Sequence, residues 1–168
     1  IEVIYRDDVD ALPVSLAAPK EDTLIIFTPA VPVDLKLKST LIERGFTLYK
    51  RSQVLGFISS SRFTIGVAGT HGKTTTSTMI AHVVKNSGYD CSAFLGGIST
   101  NYQSNVLFGD NNTVVVEADE FDRSFLTLHP NIAIVTSADA DHLDIYGDAA
   151  HLVESFQLYL DRVVEGGT

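Results

Sequence analysis

Residues 63–75 read FTIGVAGTHGKTT, and this stretch decides the fold. Phe63–Ala68 is an apolar run of strand length, Gly69–Gly72 is a loop, and Lys73–Asn86 has helical spacing, with Gly88 just past its end. The helix is expected to carry Met79, Ile80, Val83 and Val84 on one face. Glycines in such a loop let backbone N–H groups approach phosphate oxygens. The helix that follows offers unpaired N–H groups and a partial positive charge. Gly69, Thr70, His71, Gly72, Lys73, Thr74 and Thr75 are therefore the expected phosphate-binding residues. Lys73 would neutralise the β and γ phosphates of a nucleotide, and Thr74 would offer its hydroxyl to Mg²⁺. The usual spacing G-x-x-x-x-G-K-[ST] is not met. Val67 stands where the first glycine belongs, with Gly66 one place too early and Gly69 two places too late. The loop reads as a shorter variety, and a tight strand–helix turn with an incidental lysine is the competing account.

Outward from this unit, short apolar runs alternate with helical stretches. Upstream, Thr23–Thr28 (TLIIFT) reads as a strand ended by Pro29 and Pro32, Asp34–Arg44 as a helix ended by Gly45, and Phe46–Tyr49 as a second strand. Ser52 is a candidate N-cap for a helix bearing Val54, Leu55, Phe57 and Ile58. The polar run Ser59–Arg62 suggests a boundary, giving units 1–61 and 62–168. Downstream, Cys91–Leu95, Thr113–Val116 and Asn131–Thr136 read as strands. Ala149–Val164 reads as a helix with Leu152, Val153, Phe156, Leu160 and Val163 at helical spacing. Continuous apolar strands separated by helices indicate an α/β fold, with a mostly parallel sheet covered on both faces.

In such sheets ligands sit beyond the carboxyl ends of the strands, and three polar segments fall there. Glu117 follows TVVV and opens Glu117-Ala118-Asp119-Glu120-Phe121-Asp122. A carboxylate at a strand end near a phosphate loop can hold Mg²⁺. Four acids within six residues repel one another unless a cation or solvent relieves them, so a solvated acidic loop is the alternative. In Asp141-His142-Leu143-Asp144, His142 is placed to ligate a metal or bind a phosphate, or to act as a structural hydrogen-bonder. Gly96–Tyr102, with Ser99, Thr100 and Asn101, suggests a polar substrate loop or an ordinary surface loop. His82, His129 and His151 have no such company and read as structural.

Composition narrows the function classes. Twelve basic against 21 acidic residues give a net charge of −9, with no stretch concentrating Lys and Arg. A chain this acidic repels a phosphate backbone, so nucleic acid is not an expected partner. No run approaches the roughly 18 apolar residues of a membrane span, and IEVIYRDDVD lacks the pattern of a signal peptide. The single Cys91 has no partner for a disulfide or zinc cluster and reads as a small buried hydrophobe in a reducing cytoplasm. Without an initiator Met, the chain is expected to be a piece of a longer or processed protein.

Taken in order, GTHGKTTT, EADEFD and DHLDIYGD resemble the central domain of the bacterial Mur ligases. The resemblance runs from Phe63 to Thr168, and EVIYRDDV, IIFTPAVP and KRSQVLGF resemble the segment before it. It implies an ATP- and Mg²⁺-dependent ligase of peptidoglycan synthesis that joins L-alanine to UDP-N-acetylmuramate through an acyl phosphate. A murein-peptide recycling ligase is the alternative inside the family. The resemblance gives Lys73 the phosphate-loop role, Thr74 and Glu117 the first metal, and His142 a second metal. It makes 1–61 the end of a Rossmann-like UDP-substrate domain and 62–168 an incomplete ATP-binding domain. Further parts of both terminal domains are then missing, and the chain is expected not to ligate alone. Two departures stand out: Ser137 where the family often has Asn, and Phe156-Gln157 where several members carry a modified Lys. The second favours an alanine-adding member. Outside the family, Asp144-Ile145-Tyr146-Gly147 fits the D-x-x-G of nucleotide switches, but no N-K-x-D accompanies it. A phosphate-binding module without activity is the remaining reading.

Overall fold

The computed structural model describes residues 7–32, 34–120, 123–139 and 146–168. The chain divides into two compact units, Ile1–Val54 and Leu55–Thr168. The division falls inside the helix Arg51–Ser60, upstream of the polar run at 59–62.

In the first unit, strand β1 (Ile25–Phe27) pairs in parallel with β2 (Leu48–Lys50), Ile25 opposite Leu48. Helix α1 (Lys36–Glu43) makes the crossover, and Gly45 leaves it at φ +85°. Leu35, at the N-cap of α1, offers no side-chain acceptor. Asp7 supplies one from a distance, accepting from the backbone N–H of Lys36 and Leu37 at 2.9 Å each. Those two bonds hold its carboxyl below the ordinary range. The helix after β2, α2 (Arg51–Ser60), begins one residue before Ser52, so Ser52 is not its cap.

The second unit is built on a five-stranded sheet of β3 (Phe63–Ala68), β4 (Ser92–Ser99), β5 (Ser104–Leu107), β6 (Thr113–Glu117) and β7 (Ile132–Val135). The spatial order is β5-β4-β6-β3-β7. All neighbours are parallel except the β4–β5 hairpin. Helix α3 (Lys73–Asn86) packs on one face and α4 (Ala149–Leu160) on the other. The apolar run of β6 follows from this, because Val115 enters the α3-side core while Val114 and Val116 enter the α4-side core.

In both helices part of the expected apolar face packs inward, Ile80 and Val84 in α3 and Leu152 and Phe156 in α4, while the rest turns outward. Met79 and Val83 of α3 are 63% and 65% exposed, and Ser77 and Ala81 are fully buried with Ile80 and Val84 beside them. Small residues against the strands let the helix axis come close to the sheet, and the large ones turn outward. In α4, Val153 and Leu160 are exposed while Ser155 and Tyr159 are buried, and the helix stops at Leu160 rather than Val164. The strand expected to end at Leu95 continues through Gly96 and Gly97 to Ser99, then turns into β5. The supposed loop 96–102 is therefore mostly strand, with only its end in a tight turn.

Candidate active site

The carboxyl ends of β3, β6 and β7 lie on one edge of the sheet, because the three strands are parallel neighbours. Gly69 follows β3 at φ +126°. A Cβ there would lie 2.2 Å from Thr136 Oγ1 and 2.9 Å from the backbone nitrogens of Thr136 and Ser137. Only glycine fits this close crossing of two chain segments. The segment after β7 then braces the loop. Ser137 carbonyl accepts from Thr70 N–H at 3.1 Å, and Ser137 Oγ accepts from His71 N–H at 3.0 Å. Thr70 and Ser137 share a hydroxyl–hydroxyl bond of 2.8 Å, and Thr70 Oγ1 accepts from Asp139 N–H at 3.0 Å. No local pattern marks this brace, and in the sequence Ser137 stands out only as a departure from the family pattern.

Gly72 caps α3 at φ +81°, with no side-chain acceptor on the helix's free N–H groups. Lys73, the first helical residue, folds its ammonium back over the loop. It donates to Gly69 carbonyl at 2.6 Å, to Glu120 Oε1 at 2.8 Å, and weakly to Thr70 carbonyl at 3.4 Å. Thr74 donates its hydroxyl to Glu117 Oε1 at 3.0 Å, and Glu117 Oε2 accepts from Gly96 N–H at 2.7 Å. The glycine pair owes its identity to this approach. A Cβ on Gly96 would sit 2.2 Å from Glu117 Oε1, and one on Gly97 would sit 3.3 Å from Thr74 Cγ2.

Of the expected site residues, Gly69, Thr70, Gly72, Lys73, Thr74 and Glu117 thus gather at one sheet edge. The His71 side chain is exposed, with Nε2 4.0 Å from the Asp139 carboxylate, and Thr75 is exposed on the first turn of α3. His142 lies outside the described residues. Glu120, which the sequence suggested only as one acid among four, has a side chain with no exposure and is the ion-pair partner of Lys73. In the sequence the crowding of four acids suggests relief by Mg²⁺ or solvent, whereas for Glu120 the relieving cation is Lys73. Ser99 is buried at the end of β4. Thr100 carbonyl accepts from Gln103 Nε2 at 2.6 Å, and Asn101 Nδ2 lies 3.4 Å from His82 Nδ1. Their surroundings are polar groups of the β4–β5 turn and of α3, where His82 meets Tyr102 hydroxyl at 3.0 Å.

Oxygen donors from Thr74 and Glu117 suit a hard divalent cation that keeps waters and phosphate oxygens in its remaining positions, which is the habit of Mg²⁺. Among the described residues no group of three or more His, Cys, Asp or Glu offers an all-protein metal cage. A glycine loop, an uncapped helix start, a lysine and a hydroxyl–carboxylate pair at one edge can bind and polarise a phosphorylated ligand.

The family described as the Mur ligase middle domain matches residues 67–168. The UDP-N-acetylmuramate–L-alanine ligase of Christiangramia forsetii is 49% identical over 167 residues, covering 99% of this chain and 37% of that protein. The chain thus spans little more than a third of the length of the curated relatives it matches. Among solved structures, UDP-N-acetylmuramate–alanine ligase of Thermotoga maritima has a TM-score of 0.73 at 32% identity, covering 83% of this chain and 33% of that one. The UDP-N-acetylmuramate:L-alanyl-γ-D-glutamyl-meso-diaminopimelate ligase of Neisseria meningitides has a TM-score of 0.74 at 24% identity, over 84% of this chain and 50% of that one, and shares the fold. With the family's middle domain matched over most of the chain and the same fold present in its solved members, this chain belongs to the Mur ligase family.

Proposed function

We propose that the chain is the nucleotide-binding part of an ATP-dependent ligase that joins L-alanine to UDP-N-acetylmuramate in peptidoglycan synthesis, in the bacterial cytoplasm, and so serves cell-wall biogenesis, cell shape and division. The observation that carries the reading is the pairing of consecutive residues at the start of α3 with one acid at the end of β6 and one three residues beyond it: Thr74 with Glu117, and Lys73 with Glu120. Relatives about half identical over this length support the choice of substrates. In this reading 1–61 belongs to the substrate domain and 62–168 to the ATP-binding domain.

The reaction would run in two displacements. The muramyl carboxylate attacks the γ-phosphorus of ATP, forming an acyl phosphate and releasing ADP. The alanine amine then attacks the acyl carbon, and inorganic phosphate leaves as the amide forms. The protein's part is positioning and charge neutralisation. Backbone N–H groups of Gly69–Thr75 would hold the phosphates, and the Lys73 ammonium would lie against the charge that builds on the transferring phosphoryl group. Thr74 and Glu117 would hold Mg²⁺, which when bound offsets phosphate charge as a Lewis acid. His142 would serve a second cation.

The test replaces the matching segment of the Christiangramia forsetii ligase with this chain. Phosphate release from ATP should require both UDP-N-acetylmuramate and L-alanine, and Lys73→Ala should abolish it. Turnover that ignores L-alanine but responds to a murein peptide would overturn the choice of substrate.

A further inference from the structure

We infer that Glu120 is the positioning residue for Lys73: its buried carboxylate fixes the ammonium so that one N–H remains to be turned onto a phosphate. The inference rests on the phosphate-loop reading above and extends it to a residue outside the expected site.

An ammonium has three donors. Two of those on Lys73 make short bonds, to Gly69 carbonyl at 2.6 Å and Glu120 Oε1 at 2.8 Å. The third reaches Thr70 carbonyl only at 3.4 Å, the longest and weakest of the set, and is the one a phosphate oxygen can take over. Glu120 is the fixed partner. Its side chain is fully buried, against 15% exposure for that of Lys73. Its own carbonyl accepts from Tyr146 hydroxyl and from Arg123 N–H at 3.0 Å. Two residues before it, Ala118 N–H bonds Val67 carbonyl at 2.9 Å and ties the segment to β3. The long, flexible lysine is therefore set by a rigid carboxylate. The two acids at and just beyond the end of β6 divide the work, Glu117 toward Thr74 and Glu120 toward Lys73.

The sign of the effect separates this role from simple electrostatics. A second negative charge beside a phosphate site opposes anion binding, so its removal should strengthen nucleotide affinity if charge alone mattered. If Glu120 positions Lys73, its removal weakens affinity. The experiment measures Mg²⁺-ADP binding by calorimetry for the wild-type chain, Glu120→Gln and Lys73→Ala, and follows the lysine ¹⁵Nζ ammonium signals by NMR. Glu120→Gln should bind about tenfold more weakly, the loss of one hydrogen bond to a charged group. In the free wild-type chain, one ammonium signal absent from Lys73→Ala should be sharp because its protons exchange slowly. It should broaden beyond detection in Glu120→Gln and persist when nucleotide binds. The wild-type signal does not depend on the variant's folding. Equal or tighter binding by Glu120→Gln, with Lys73→Ala impaired, overturns the positioning role and leaves the phosphate loop standing. So does a wild-type Lys73 signal already lost to fast exchange. No binding by wild type, or none lost in Lys73→Ala, overturns both.

Discussion

Replacing Gly96 with alanine should separate the candidate metal site from the stability of the fold. The added Cβ would lie 2.2 Å from Glu117 Oε1 and 2.5 Å from both Cδ and Oε2. Ordinary contact begins near 3.4 Å, so the carboxylate must retreat by roughly 1 Å. That stretches the 2.7 Å bond from Gly96 N–H beyond hydrogen-bonding range and pulls Glu117 away from Thr74. Glu117 is half-buried and its end can move toward water, so the fold should lose only about 1 kcal/mol. A displacement of this size at a group that positions a ligand is far more damaging, on the order of 10- to 100-fold. Calorimetry with ADP should show that loss in the presence of Mg²⁺ and a much smaller one in EDTA, with urea melts recording the modest stability change. Unchanged Mg²⁺-dependent affinity would show that Glu117 does not hold the metal from this position. An equal loss in EDTA would show that the damage reaches the loop itself.

Tyr159 is fully buried, and its hydroxyl has no hydrogen-bond partner among the described residues. Tyr159→Phe should therefore stabilise the chain by about 1 kcal/mol in urea melts, and a loss of stability would reveal a hidden partner. A Cβ on Gly66 would meet that hydroxyl at 2.2 Å but Tyr159 Cζ and Pro130 Cβ only at 3.4 Å. Gly66→Ala should accordingly be disruptive alone and much milder in the Tyr159→Phe background, and additive effects would refute the clash. The side-chain bond from Lys85, with backbone bonds from Asp110 and Cys91, pushes the Asp90 carboxyl down to about 2. A depressed carboxyl contributes stability above its unfolded value near 3.8, and that stability disappears as pH falls toward 2. Asp90→Asn should be less stable than wild type at neutral pH and indistinguishable from it near pH 2. A gap that stays constant across this range would contradict the ion pair.

The local unit from Phe63 to Asn86 was legible because strand pattern, glycine loop and helix spacing agree there, and the helix spans the expected residues. Glu117 was legible from its place at the end of an apolar strand. The glycines at 96 and 97 misled, because they read as the start of a polar or surface loop, while they lie within β4 and face Glu117 of β6 and Thr74 of α3. Met79 and Val83 misled in a similar way. Hydrophobicity marks them as core, yet the tight seat of α3 on the sheet admits Ser77 and Ala81 instead. Glu120 and Ser137 act on partners 47 and 66 residues away in the chain, and no local pattern encodes such pairings. His142, the residue expected to serve a second cation, lies outside the described residues.

The most direct test of the account is calorimetric titration of this chain with Mg²⁺-ATP, wild type against Lys73→Ala, with circular dichroism recording the fold of each. Wild type should bind, with affinity weakened roughly 10- to 100-fold in the variant, the worth of one charged hydrogen-bond donor to phosphate. The two spectra should be the same. Equal affinities in two equally folded proteins would contradict the claim that residues 69–75 form a phosphate loop.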